Sequence, residues 1–141
     1  MSRIREEYIS TGQVRFAYKH FAILGPESTR SAEASECAAE QDKFWEFHDY
    51  VFADQLSARS SLSVDKLVSM AETVGLNSTT FRACLTSGRY TSQINRETLS
   101  VQSLGVRGTP AFLVDGVFIS GAQPFEVFQQ AIEEQLQNSP K

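Results

Sequence analysis

The hydrophobic pattern changes period several times along the chain, and each change marks an element. Ile4 and Tyr8 share one helical face, and Gly12 follows where a C-terminal cap belongs, so Ser2–Thr11 is predicted as a short helix. Val14-Arg-Phe-Ala-Tyr-Lys then alternates large apolar with small or basic positions, which predicts a strand with Val14, Phe16 and Tyr18 on one face. A helical block follows. Glu27–Gln41 is rich in Ala and Glu, and Lys43–Leu56 is strongly aromatic. In the second stretch Phe44, Phe47, His48, Val51 and Gln55 form one stripe, with Trp45, Phe52 and Leu56 beside it, so this helix is expected to be wedged between layers. Val64, Leu67, Val68, Ala71 and Val74 form an i, i+3, i+4, i+7 stripe ending at Gly75-Leu76, a Schellman stop. Phe81, Cys84 and Leu85 form a short face before Gly88, and Tyr90, Ile94, Thr98 and Val101 carry another helix toward Gly105.

The period then becomes extended. Thr109-Pro-Ala-Phe-Leu-Val is predicted as a strand, Asp115-Gly116 as a tight turn, and Val117-Phe-Ile-Ser as the returning partner. Pro124 suits the first position of a last helix whose buried face is Phe125, Phe128, Ala131, Ile132 and Leu136.

Composition narrows the classes. The chain of 141 residues is one domain in this reading, long enough to bury about two-thirds of its unfolded surface. Seventeen acids against 13 bases leave a net charge of −4, which disfavours nucleic acid as a partner. No apolar run reaches the length of a membrane span. The first residues, MSRIREEYIS, lack the apolar core of a secretory signal, so the chain as written is expected in the cytoplasm. Two cysteines (Cys37, Cys84) and two histidines (His20, His48) are scattered, with no C-x-x-C or H-E-x-x-H spacing, so no metal site and no cofactor are expected. His48, on the apolar stripe, is expected to be a satisfied core histidine, and His20 to cap a sheet edge. Glu36, Glu40 and Asp42 are expected to form a solvated acidic face.

Several segments together resemble the DsbA family of bacterial disulfide oxidoreductases. Val106-Arg-Gly-Thr-Pro-Ala-Phe-Leu-Val-Asp-Gly is similar to that family's cis-proline loop and hairpin. Phe16–Leu24, Ala34–Gln41, Lys43–Asp49 and Phe81–Tyr90 follow in the family's order, and the resemblance runs from about Ile4 to Leu136. It implies an α/β, thioredoxin-like fold with a helical insertion at about 27–104. The family places a central strand and a Cys-x-x-Cys ahead of the helix that Ser2–Thr11 resembles, where the helix N-terminus stabilises a thiolate. Neither occurs in these 141 residues, so dithiol exchange by the usual route is not expected of this chain.

Three further implications follow from the resemblance. Thr109–Pro110 is the family's cis bond, at a cost of only about 0.5–1 kcal/mol. The backbone of Thr109 would then offer an edge to an extended or unfolded polypeptide. Cys37 and Cys84 are read either as free buried thiols or, as some relatives suggest, as a structural disulfide, and in neither case as catalytic. In the family the missing strand lies between Val14–Lys19 and Ala111–Val114, leaving exposed groups that cost about 1–3 kcal/mol each when unsatisfied. A homodimer, by strand exchange or edge pairing across a two-fold axis, is the expected response.

Two function classes compete. One is a DsbA-type oxidoreductase, catalytically incomplete here, which predicts in-frame coding sequence upstream of Met1. The other is a non-catalytic, dimeric module that binds peptides or partners. A weaker third is a glutathione-dependent isomerase or transferase relative, which would need a Ser or Cys after an N-terminal strand.

Overall fold

The structure, a computed structural model, describes residues 2–57 and 61–138; Met1 lies outside the described residues. The chain divides into two compact units, one of residues 1–19 and 102–141 and one of His20–Val101.

In the first unit, α1 (Ser2–Ile4) runs into a π-helical turn, Arg5–Ile9, closed by Ser10 N–H donating to the Arg5 carbonyl at 2.9 Å. The predicted helix over Ser2–Thr11 is thus present but wound wide at its centre. Gly12, at φ +77°, reverses the chain, and its N–H bonds the Ile9 carbonyl at 3.0 Å. β1 (Ala111–Val114) and β2 (Val117–Ser120) pair antiparallel, with Phe112 opposite Ile119 and Leu113 opposite Phe118. Asp115 and Gly116 both hold positive φ, the requirement of a tight two-residue hairpin. The last helix, Phe125–Asn138, is numbered α7 in the order given below. Its Phe128, Ala131 and Ile132 meet Ile4, Tyr8 and Ile119 in this unit's core, and the Phe112 and Phe128 rings meet edge to face at 4.8 Å. Leu136, expected on the buried face, is exposed, because the face runs past the core in the helix's last turns.

Val14–Lys19 carries no β-ladder, so the predicted strand is corrected. Alternation makes a segment fit for a sheet, but a strand exists only when a neighbouring segment takes up its main-chain groups. Among the described residues the sheet contains β1 and β2 alone.

The second unit is helical: α2 (Pro26–Ala39), α3 (Phe44–Ser57), α4 (Val64–Thr73), α5 (Ser78–Ser87) and α6, which begins at Thr91 and ends at Ser103. Local chemistry sets their ends. Pro26 opens α2, Ser63 and Asn77 side chains accept from Lys66 N–H (3.3 Å) and Thr80 N–H (2.9 Å), and Gly75 stops α4 at φ +78°. Leu76 N–H reaches the Ala71 carbonyl and Gly75 N–H the Glu72 carbonyl, both at 2.9 Å, completing the Schellman pattern. Ala34 and Ala38 let α2 approach closely, and Phe47 meets Phe81 at 5.2 Å between ring centres. Burying each of these two rings stabilises the unit by about 1.5–3 kcal/mol.

Only one side of α3 is core. Phe47 and Val51 are buried, whereas Phe52 is 54% and Leu56 87% exposed, so the helix is not wedged on two sides as its pattern suggested. An apolar stripe records what a helix can bury, and the packing of α3 against α2 and α4 uses the Phe47 side.

Candidate functional site

The loop entering β1 is the most distinctive backbone feature of the first unit. The Thr109–Pro110 peptide bond is cis, and both residues are exposed. Gly121 N–H donates to the Pro110 carbonyl at 2.8 Å, so this position faces β2. Alternation along an antiparallel ladder then directs the main-chain groups of Phe112 and Val114 to β2 and those of Ala111 and Leu113 to the opposite edge. That edge carries no ladder among the described residues. The outer face of the hairpin is apolar as well, with Leu113 62% and Phe118 50% exposed.

Beside Pro110 lies a cleft of about 470 Å³. Ile4, Phe112, Phe125 and Phe128 give it apolar walls, and Arg3, Gln123 and Ala122 complete its rim. Arg3 is held on three sides. Its Cζ sits 3.6 Å from the centre of the Phe125 ring, its Nε bonds Glu7 Oε1 at 3.1 Å, and its Nη1 lies 3.6 Å from Glu126 Oε1. The Gln123 amide is committed to the Ser120 carbonyl at 2.8 Å. Below, the Tyr8 hydroxyl donates to Glu133 Oε1 at 2.9 Å; burial first, then this bond, hold its pKa above the usual 10.0. The cleft therefore offers room for one large apolar side chain next to a main-chain edge that carries no ladder among the described residues.

Cys37 and Cys84 lie in the other unit. They are joined in a disulfide with Cα atoms 5.8 Å apart, each is 1% exposed, and they tie α2 to α5. The two readings left open by the sequence are decided for the disulfide. His20 does not cap a sheet edge: its side chain is buried in the helical unit with Nε2 2.8 Å from Glu36 Oε1, and its main-chain N–H donates to Glu97 Oε2 at 3.0 Å. Glu36 and Glu40 are likewise not a purely solvated face, since Glu40 accepts from the Tyr90 hydroxyl at 2.7 Å and pairs with Arg89 at 3.3 Å. His48 is half-buried, stacked on Phe44 and tilted against Phe52, with Nδ1 3.0 Å from Asp49 Oδ1.

Of the expected site residues, Pro110 lines the cleft, Thr109 precedes it in the same loop, and the cysteine pair stands in the helical unit. Sequence reasoning missed Arg3, Gln123, Phe125 and Glu126 as a group. The Arg3–Glu7 spacing is a legible helical ion pair. Nothing in the pattern places residue 3 against residues 125 and 126.

Comparison with known proteins follows the same line. The family described as Thioredoxin matches residues 1–134. A protein named Na(+)/H(+) antiporter NhaA 3, from Salinispora tropica, is 31% identical over 92% of this chain, which corresponds to 20% of that protein. A probable disulfide bond formation protein D from Bacillus cereus is 28% identical over 96% of this chain and 64% of its own length. The chain thus spans less than two-thirds of these relatives. The crystal structure of oxidised BdbD from Bacillus subtilis superposes with a TM-score of 0.87 at 23% identity, covering 97% of this chain and 76% of that one. Among the described residues, no helix is long and apolar enough to cross a membrane. With its fold, its cis-proline loop and its family match all in one chain, the protein belongs to the thioredoxin family, in its DsbA-like branch.

Proposed function

We propose that this chain acts in disulfide exchange as a polypeptide-docking module. An extended, unfolded polypeptide adds along the open edge at Thr109, Ala111 and Leu113 and sets one large apolar side chain into the cleft beside Pro110. The observation that carries this reading is the juxtaposition of an unladdered strand edge with an apolar cleft at one loop. Main-chain pairing is indifferent to side-chain identity, which suits a partner presented unfolded. The named role of relatives in disulfide bond formation supports the same direction.

The thiol step itself has no carrier among these residues. Exchange needs an accessible thiolate, whereas the two cysteines present are bonded to each other and buried. Their bond favours work in an oxidising compartment.

Fluorescence anisotropy with a labelled, reduced, unfolded polypeptide tests the docking. Saturable binding is expected, and Ala111→Pro, which deletes one edge-facing N–H, should weaken it by about two- to ten-fold, the worth of one hydrogen bond. Thr109→Ala should bind as the parent does, because the contact is main chain. A far-UV spectrum checks that Ala111→Pro keeps the fold. Equal binding by a well-folded Ala111→Pro, or no binding by the parent, would overturn the reading. Disulfide reduction assays with this chain alone are expected to show no turnover.

A further inference from the structure

We infer that the turn between α5 and α6 is a latch over the Cys37–Cys84 disulfide, and that an outside dithiol reaches this bond by releasing the latch while the rest of the helical unit stays folded. The inference rests on the helical unit alone and is independent of the docking reading.

Both cysteines are 1% exposed, and they share a core cluster with Ala34, Ala38, Phe47, Phe81 and Leu85. Exchange begins with attack of a thiolate on one of the sulfurs, so a bond this deeply buried cannot react until a neighbour moves. Phe47 and Phe81 are fully buried and meet at 5.2 Å, and moving them means unpacking α3 from α5. The turn after α5 is different. Gly88 closes that helix at φ +65°, and Thr91 N–H returns to the Gly88 carbonyl at 3.1 Å. Three successive side chains then reach back to α2. Arg89 Nη2 lies 3.3 Å from Glu40 Oε2, the Tyr90 hydroxyl donates to Glu40 Oε1 at 2.7 Å, and the Thr91 hydroxyl donates to Glu33 Oε1.

The spacing of those two carboxylates makes the turn a latch. Glu33 stands four residues before Cys37 and Glu40 three after it, so all three lie on one side of α2. The turn is therefore tied on either side of Cys37. Between Arg89 and Thr91 in the chain, the half-buried Tyr90 ring packs against the cluster that holds both sulfurs. The ties themselves are exposed polar contacts, each worth about two- to ten-fold in an equilibrium. They release more often than the aromatic core opens.

With the latch open, the chemistry is ordinary exchange. A thiolate of the dithiol bonds to one sulfur, the S–S bond breaks, and its electron pair leaves on the other cysteine, which takes up a proton. The reagent's second thiolate then attacks its own sulfur in the mixed disulfide and expels the remaining cysteine, which is protonated in turn. Cys37 and Cys84 end as thiols and the dithiol as a disulfide.

Dithiothreitol added to the folded chain, with new thiols trapped by alkylation and counted by mass, measures the rate. The folded chain is expected to be reduced at least about 100-fold more slowly than the urea-unfolded chain, with a rate nearly flat at low urea and steep only near the unfolding midpoint. Tyr90→Ala should speed reduction without urea by about ten-fold or more, beyond what its shifted midpoint accounts for, and Glu33→Gln with Glu40→Gln should act the same way by a smaller factor. Reduction of the folded parent within about 100-fold of the unfolded rate would mean a bond already open, and would overturn the latch. So would a rate that climbs with urea from the start as steeply as global unfolding, or a Tyr90→Ala gain no larger than its lost stability, since either places the opening in the whole unit. If Tyr90→Ala does not fold, the urea profile of the parent decides alone.

Discussion

Tyr90 shows how single polar contacts hold the helical unit. Its hydroxyl donates to Glu40 Oε1 at 2.7 Å, and this bond, ahead of burial, pushes the phenol up to about 12 from 10.0. A raised folded-state pKa means that the bond contributes its full stability below pH 10.0 and loses it as pH rises through about 12. Replacing Glu40 by Gln should bring the Tyr90 titration, followed by tyrosinate absorbance, down toward 10.0. Phe128 makes the corresponding apolar case. Buried against Phe112 in the first unit, it should cost about 3–5 kcal/mol when replaced by Ala, read from urea unfolding. Both residues sit where the pattern already pointed, Phe128 on an apolar helical stripe and Tyr90 beside a helix start. The partner of Tyr90 lies 50 residues away and was read as part of a solvated face. Spacing along a helix identifies which side chains share a face. It does not name the residue across from them.

Among elements, the α2–α5 disulfide and the β1–β2 hairpin have different roles. The disulfide closes a separation of 47 residues inside the helical unit. Removing it with Cys37→Ala and Cys84→Ala together should lower stability by about 2–4 kcal/mol, seen as a shifted denaturant midpoint, with peptide affinity at the cleft unchanged. Loss of peptide binding in that variant, with the fold retained, would tie the helical unit to docking. The hairpin depends on Gly116, at φ +93°; Gly116→Ala should cost about 1–3 kcal/mol by the same measurement. The helices of the second unit follow their expected positions, because the apolar stripes and the stop at Gly75 are local signals. Val14–Lys19 was misjudged for the opposite reason. Its alternation is local, but a ladder needs a second segment, and no described segment forms one with it.

For the whole molecule, the β1 edge that carries no ladder among the described residues and the exposed Leu113 and Phe118 are surfaces that proteins seldom leave unpaired. We propose that they promote self-association, and light scattering on the chain in solution is expected to give twice the monomer mass. A sharp monomer peak would rule out strand pairing between copies. Excess polypeptide should shift the dimer toward monomer, since both would use the same edge. The amino-acid sequence by itself determined the order of the helices and the hairpin, the hairpin turn and the DsbA-like resemblance, because each is written in short-range spacing and in particular residue types. The tertiary structure alone decided that Cys37 bonds Cys84, that His20 is buried against Glu36, and that Arg3 lies on Phe125 at the mouth of the Pro110 cleft. Those contacts join residues far apart in the chain. Only the packing of each unit's core brings them within reach, and no periodicity records which distant residue arrives.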